Sequence, residues 1–326
     1  MKVGIIGTGW IADKMAETLT GLNPTAKRAV ASRDAAKAQA FAQRWGFEKA
    51  YGSYEQLVED PEVDLVYIAT PHSHHYQHAK LAIEAGKPVL CEKAFTANAR
   101  QADRLLNLAH QRGVFITEAI WTRYMPLSLK VKELLDAGTI GEPRLLNCSL
   151  CYEMSDKERI WTPELCGGSL LDLSVYCINF ARMYFGGDIA SQTSSCVKGK
   201  GGMDAHDMIS WAYNDGRIAN LQSSAVCQCS RAGMIAGTKG FIVVENTNCP
   251  DRVTVYDSDY KPVQIYQPAA DRITGYEYQV LACEDALSRG LLESPYMPHA
   301  ETLAIMEIMD GLRRDWGIRY PADEAE

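Results

Sequence analysis

The sequence predicts an α/β domain built on a parallel sheet, followed by an α+β domain with a large, mostly antiparallel open sheet. Three observations lead there. Short apolar runs alternate with helical patterns through the first 120 residues, as βαβ units do when helices cover both faces of a parallel sheet. Beyond residue 120 the rhythm changes to strand-like runs punctuated by turn residues, as in antiparallel sheets. The length of 326 residues exceeds one ordinary core, at roughly 150 residues per domain. The expected domains are therefore 1–120 and 121–326.

In the first domain, residues 3–6 form an apolar run, and Ile11, Met15, Leu19 and Leu22 then recur at helical spacing. Residues 29–32 are a second strand, followed by Ala38, Phe41, Ala42 and Trp45 on one helix face. Residues 63–69, 89–91 and 114–117 are further strands, with helices over 76–85 and 97–112 between them. In the second domain one helix follows Pro126 and another spans 170–184. Strand patterns occupy 144–154, 192–198, 208–213, 217–224, 240–245 and 252–257. Asn214-Asp215-Gly216 and Thr238-Lys239-Gly240 are turns between them. Helices over 275–288 and 300–316 close the chain, and the acidic tail at 323–326 is expected to be loose.

Composition narrows the function classes. A hydrophobic fraction of 47% and a charged fraction of 23% are those of a soluble globular protein. No run reaches the ~20 apolar residues of a membrane span, and the apolar stretch at 170–185 carries Asp172, Asn179 and Arg182. The run at residues 3–6 is too short for a secretory segment, so a cytoplasmic location is expected. A net charge of −8 argues against nucleic acid or an anionic membrane as partner. A phosphate-bearing ligand therefore needs a local device. Ten cysteines are few for a disulfide scaffold of this length. Cys148 with Cys151, and Cys227 with Cys229, lie in strand-like runs without the four converging ligands zinc requires. Buried thiols and no metal are expected.

The local device is Gly7-Thr8-Gly9-Trp10-Ile11-Ala12, which fits G-x-G-x-x-A after the first strand and opens the first helix. Gly7 permits the tight turn, Gly9 lets a pyrophosphate approach the backbone, and Ala12 keeps helix and strand packed. The helix N-terminus supplies the anion site that net charge does not. This context defines a Rossmann dinucleotide-binding domain. At the end of the second strand, NAD binders place Asp or Glu for the ribose 2′-hydroxyl, whereas this chain has Ser32-Arg33. A hydroxyl and a planar guanidinium suit a 2′-phosphate. NADP is expected, with NAD left open because Asp34 lies one residue on.

Further segments carry a family resemblance. They are Thr70-Pro71-His72-Ser73-His74-His75 and the run Ala-Gly-Lys-Pro-Val-Leu-Cys-Glu-Lys ending at Lys93. Glu118-Ala119-Ile120-Trp121-Thr122-Arg123-Tyr124-Met125-Pro126 follows, then Gly167-Gly168-Ser169-Leu170-Leu171-Asp172-Leu173-Ser174-Val175-Tyr176. In this order, over essentially the whole chain, they resemble the glucose–fructose oxidoreductase/inositol dehydrogenase (Gfo/Idh/MocA) family. Within it they look most like the branch of dimeric dihydrodiol and NADP-dependent D-xylose dehydrogenases. The resemblance implies that Lys93 lies by the nicotinamide, and that Asp172 and Tyr176 face the substrate. It implies that Thr70, Pro71, His72, His75 and Glu92 border the cofactor, and that the second domain's sheet forms a homodimer or higher homo-oligomer. Two departures matter. The usual Glu-Lys-Pro is Glu92-Lys93-Ala94, which loosens the turn but keeps the lysine. The common histidine at position 176 is Tyr176, which removes a near-neutral base and favours the dihydrodiol/xylose branch.

The residues support such chemistry without the family. Asp172 and Tyr176 are four apart on an expected helix and so share a face. Lys93 ends a strand, where open α/β sheets bind ligands. A free phenol is a poor base near neutrality, but an ammonium ~4 Å away at an effective dielectric of about 20 favours phenolate by roughly 4 kcal/mol. The expected reaction moves hydride between a nicotinamide and an alcohol or carbonyl of a sugar, polyol or cyclic trans-diol. Tyr176 exchanges the hydroxyl proton, Lys93 stabilises the phenolate, and Asp172 orients Lys93 or a neighbouring hydroxyl.

Taken alone, Tyr176 and Asp172 read as ordinary helix residues; the glycine loop and Lys93 raise them above that. Trp121, Arg123 and Tyr124 are expected to line the substrate pocket, with a packed hinge as the alternative. His72, His74 and His75 cluster in an expected βα loop without the carboxylates a metal site wants; His206 and His299 read as surface or structural. Two competing functions remain open: a cofactor-recycling enzyme with tightly bound NAD(P), and a non-catalytic nucleotide sensor on the same fold.

Overall fold

A computed structural model describes residues 1–324 of the chain. The chain divides into two compact units, one made of Met1–Ile120 with Arg272–Glu307, the other of Trp121–Asp271 with Ile308–Glu324.

The first unit holds strands β1 (Val3–Ile6), β2 (Lys27–Ala31), β3 (Lys49–Tyr51), β4 (Leu65–Ile68), β5 (Val89–Glu92) and β6 (Ile116–Ala119). They form one parallel sheet in the order β3-β2-β1-β4-β5-β6, the order that places a ligand crevice where the winding reverses, beside β1 and β4. β1, β4, β5 and β6 are buried at every residue, which is why the sequence shows solid apolar runs there instead of alternation. Helices α1 (Trp10–Leu22), α2 (Ala35–Trp45), α3 (Tyr54–Glu59), α4 (His72–Glu84) and α5 (Ala99–Arg112) connect the strands. Local chemistry sets several ends. The side chains of Asp34 and Asn98 cap α2 and α5, and left-handed Gly46 and Gly113 stop them.

The structure corrects the sequence reading in three places here. β3 and α3 carried too short a pattern to be seen. The histidines at 72, 74 and 75 belong to the first turn of α4, not to a loop; the apolar rhythm of that helix begins only one turn later. Residues 272–307 leave the second domain and pack with the first. Thr18 and Thr274 hydroxyls meet at 2.6 Å, and the Ile116 amide donates to Leu292 O at 3.1 Å. The Glu277 carboxylate takes the amides of Ile273, Thr274 and Gly275.

The second unit holds α6 (Pro126–Asp136), β7 (Pro143–Cys151), α7 (Val175–Phe185), β8 (Ile189–Lys198), β9 (Asp204–Tyr213), β10 (Ile218–Ser224), β11 (Gly233–Gly237), β12 (Gly240–Glu245), β13 (Arg252–Asp257) and β14 (Pro262–Tyr266). The sheet runs β14-β13-β12-β11-β7-β10-β9-β8, antiparallel except for the β7–β10 pair. Its core face carries Leu146, Cys148 and Leu150 of β7 with Ile209 and Trp211 of β9, and α7 packs on β7 and β10. β11 and β14 were not expected. In β11 the glycine has a packing reason: a Cβ on Gly233 would stand 2.3 Å from the Phe180 ring of α7. Thiol burial also departs from expectation, since Cys148 and Cys151 are buried but Cys227 is exposed. Of the tail expected to be loose, Asp323 accepts from Arg313 Nη1 at 2.8 Å, and residues 325–326 lie outside the described residues. The chain closes with α8 (Glu277–Ser288) and α9 (His299–Trp316). No described helix is long and apolar enough to cross a membrane.

Candidate active site

The loop leaving β1 turns at Gly7, with φ +114° and Ala69 O only 2.6 Å from where a Cβ would stand. No other residue fits there. A Cβ on Gly9 would meet nothing within 4 Å, so the backbone is open on that side, at the first unsatisfied N–H groups of α1. Ala12 is fully buried, as its packing role requires, while Trp10 is 68% exposed and Ile11 is half-buried. Gly7, Thr8 and Gly9 border a cavity of about 370 Å³ with Ser32, Arg33, Asp34, Thr70 and Pro71. These expected cofactor residues thus converge.

The sequence reading missed Lys37, Tyr54 and His78 on the same cavity. Lys37 was legible in principle, one helical turn beyond Arg33. Tyr54 and His78 come from α3 and α4, and their rings meet edge-on at 4.5 Å. Burial, then neighbouring histidines and Arg33, pushes His78 down to about 4; burial and Arg33 also lower His74. Both imidazoles are neutral near pH 7, which leaves Arg33 and Lys37 as the cations of this wall. Asp34 is occupied: its carboxylate accepts from Ala36 N at 3.0 Å and Lys37 N at 3.2 Å. An open glycine backbone, a helix N-terminus and neighbouring cations fit a dinucleotide.

Lys93, half-buried, follows β5. The peptide joining it to Ala94 is cis. Two histidines from the first turn of α4 hold this turn, with His72 Nε2 3.1 Å from Lys93 O and His75 Nδ1 2.8 Å from Ala94 O. The other nitrogen of His75 lies 2.7 Å from Thr70 O. Complete burial pushes His75 down to about 4, against the backbone of Thr70, Ala94 and Phe95, which favours the protonated ring. Buried Glu92 accepts from the Tyr67 phenol and from the Lys93 amide. His72, His75 and Glu92 therefore shape the turn that presents Lys93.

In the second unit a wide π turn, Leu170–Ser174, precedes α7. The expected single helix is two pieces, and Asp172 sits in the first and Tyr176 in the second. Their side chains have different partners. The Tyr176 hydroxyl accepts from Trp121 Nε1 at 2.9 Å, and the Asp172 carboxylate accepts from Arg159 Nη2 at 2.8 Å. Trp121, Arg123 and Tyr124 form a buried 3-10 turn. Arg123 Nε donates to Asn179 Oδ1 at 2.6 Å, so its guanidinium braces α7. Arg159 was missed because nothing near it in sequence points to Asp172. His299 is structural: its Nε2 lies 2.9 Å from Ile116 O and its amide donates to Glu293. His206 stands on β9 in register with Val197 and Ser224.

These features have a known counterpart. Residues 1–119 match the family described as "Oxidoreductase family, NAD-binding Rossmann fold", and residues 128–243 match the GFO/IDH/MocA C-terminal domain. The chain belongs to the Gfo/Idh/MocA family and is an oxidoreductase. Among curated relatives, trans-1,2-dihydrobenzene-1,2-diol dehydrogenase of Mus musculus is 32% identical over 330 residues, 99% of each chain. Its Danio rerio namesake is 34% identical over 305 residues, 90% of each chain. Among solved structures, a 3-ketoreductase from Actinomadura kijaniata in complex with NADP and TDP-benzene superposes with a TM-score of 0.86 at 25% identity over 98% of both chains. An aldose–aldose oxidoreductase from Caulobacter crescentus shares the fold, with a TM-score of 0.88 at 18% identity over 97% of both chains.

Proposed function

We propose that the chain is an NADP(H)-dependent dehydrogenase acting on the alcohol or carbonyl of a sugar, polyol or cyclic trans-diol. One observation carries the cofactor choice: Asp34, the carboxylate that lines the cavity beside Arg33, is committed to capping α2, while Arg33 and Lys37 stand with Ser32 on the cavity wall. An acidic partner for a 2′-hydroxyl is thereby withdrawn and a cationic pair for a 2′-phosphate is offered. The NADP bound by the 3-ketoreductase supports the same choice. The names of the curated relatives support a cyclic diol as substrate.

Gly7, Thr8, Gly9 and the start of α1 would hold the pyrophosphate; Ser32, Arg33 and Lys37 the 2′-phosphate; Thr70, Pro71 and the Lys93 turn the remaining length. Held by these residues, a nicotinamide cofactor would supply hydride exchange with the substrate carbon. Tyr176 exchanges the hydroxyl proton, with the Trp121 indole donating to its oxygen. Lys93 supplies positive charge at the nicotinamide end of the cofactor, and Asp172, fixed by Arg159, orients a substrate hydroxyl. The exposed apolar residues Val197, Met208 and Ile218 on β8, β9 and β10 support a homodimer through this sheet.

The test is a fluorescence titration with NADPH and NADH, followed at saturation by a panel of aldoses and trans-diols. NADPH binding at least tenfold tighter, with turnover of a panel member, is the expected result. Preference for NADH overturns the cofactor assignment. Undiminished turnover by Tyr176→Phe overturns the proton-transfer assignment.

A further inference from the structure

Two carboxyl groups that the chemistry above does not use lie at the root of the segment bearing Asp172 and Tyr176. Asp204 is 0% and Asp207 3% exposed, although residues three apart on a strand ordinarily face opposite ways. The β8–β9 register explains it. Val197 pairs with His206 but Lys198 with Asp204, so Ala205 is an extra residue. This bulge turns both carboxyls to the core face.

Asp204 then caps the helical segment, accepting the Leu170 amide. Its other oxygen presses on the glycine pair: a Cβ on Gly168, where φ is +108°, would stand 2.1 Å from Asp204 Oδ1. Asp207 Oδ2 accepts from Ser174 Oγ at 2.8 Å and Ser223 Oγ at 3.1 Å. Ser223 also meets Ser169 at 2.6 Å and Ser174 at 2.5 Å. Both ends of the π turn are thus tied to this pair. What is left over is one buried oxygen on each, Asp204 Oδ1 and Asp207 Oδ1, with no other group donating to it. The two carboxyls are within hydrogen-bonding reach of each other, and two acceptors cannot satisfy one another without a proton.

We propose that Asp204 and Asp207 are positioning residues that share one proton, donated from Asp207 to Asp204, and thereby fix the π turn that sets Asp172 and Tyr176. This rests on the assignment of Asp172 and Tyr176 made above. Burial, then the charge of Asp204, pushes Asp207 well above the ordinary carboxylate range, and burial raises Asp204 against the pull of the Leu170 amide. The titratable groups facing the pair cannot serve as its base near neutrality. Burial pushes the Cys196 thiol on β8 up to about 11. It also raises Tyr320, whose hydroxyl donates to Gly167 O at 2.7 Å, and the Cys166 thiol, to about 12. Beyond them Arg313 is held by Asp310 and Asp323, and Lys198 is exposed beside Cys196.

The sign is fixed. A carboxyl whose folded-state pKa is raised contributes its stability at low pH and loses it as pH rises through that value. Wild-type stability therefore declines as pH rises above the ordinary carboxylate range, and turnover falls as the shared proton is lost. Asp207→Asn, whose amide donates without titrating, is expected to keep turnover within about threefold at neutrality and to flatten that decline. Asp207→Ala is expected to lower kcat by about ten- to a hundredfold with the NADPH Kd unchanged.

Infrared difference spectra of the full-length enzyme report the pair independently of catalysis: wild type at neutral pH shows a protonated-carboxyl carbonyl band that Asp207→Asn lacks. No such band, or an Asp207→Asn protein with the wild-type decline in stability as pH rises, overturns the proton pair whatever Tyr176 does. A band that vanishes while the kcat profile is unmoved overturns the positioning role. Failure of Tyr176→Phe to lose activity removes the catalytic assignment while leaving the band in place.

Discussion

Arg33 and Asp34 are chain neighbours with opposite fates. The strand leads both out at the carboxyl end of β2, but Asp34 is the residue immediately before α2, where a short carboxylate caps best. That leaves the guanidinium to the cavity. Arg33→Ala is expected to weaken NADPH by roughly ten- to a hundredfold, since charge-assisted hydrogen bonds are worth about 1.5–3 kcal/mol. NADH, lacking the phosphate, should change by less than about threefold; equal losses in a fluorescence titration would show that Arg33 does not read the 2′-phosphate. At this scale the sequence was largely legible. Gly7, Gly9, Ala12, Ser32 and Arg33 act through their immediate neighbours, so spacing alone reveals them. Lys37 lay one turn beyond Arg33, whereas His78 and Arg159 meet their partners, Tyr54 and Asp172, only through folding, and no spacing announces them.

β3 and α3, the two elements invisible in the pattern, are held by charge as much as by burial. Arg28 on β2 reaches Asp60 just past α3 through Nε at 2.8 Å and Nη2 at 3.1 Å. The Tyr51 phenol from β3 donates to the same carboxylate at 3.0 Å. Burial works against ionising Asp60, but Arg28, the Glu62 amide and Tyr51 outweigh it, and its pKa is lowered. A lowered carboxylate pKa contributes stability above the ordinary carboxylate range and loses it as pH falls through the folded-state value. Asp60→Asn, which removes the buried charge partner of Arg28 while Glu48 and Glu62 stay beside the guanidinium, is expected to cost about 1–3 kcal/mol in urea denaturation at neutral pH. The gap to wild type should close progressively below about pH 4. A gap independent of pH would mean that the pair acts through shape alone. The break between Leu170–Ser174 and α7 was hidden for a related reason. A mostly apolar run suits a buried α-helix and a buried π turn equally, and the capping carboxylate that accompanies the break comes from β9.

At the scale of the molecule, the first unit is completed by a segment from the far end of the chain. Val280 and Cys283 of α8 are buried, and the turn before α8 bonds to α1 through Thr18 and Thr274. A fragment ending at Ile120 is therefore expected to lose its near-ultraviolet dichroism and its cooperative unfolding. The same fragment rejoined to residues 272–307 through a flexible linker should recover both. A well-dispersed amide spectrum from residues 1–120 alone would show that the returning segment is dispensable.

By itself the sequence determined the alternation of strands and helices, the change of rhythm near residue 120, and the glycine loop with its cationic neighbour. Each of these is written in residues within a few turns of one another, where backbone geometry is the only intermediary. The tertiary structure alone decided that residues 272–307 complete the first unit, that Trp121 bonds Tyr176, and that a bulge on β9 brings two acids beneath the π turn. Those contacts join residues from 34 to 256 positions apart. Their strength comes from desolvation in a packed interior, which exists only once the chain has folded around it.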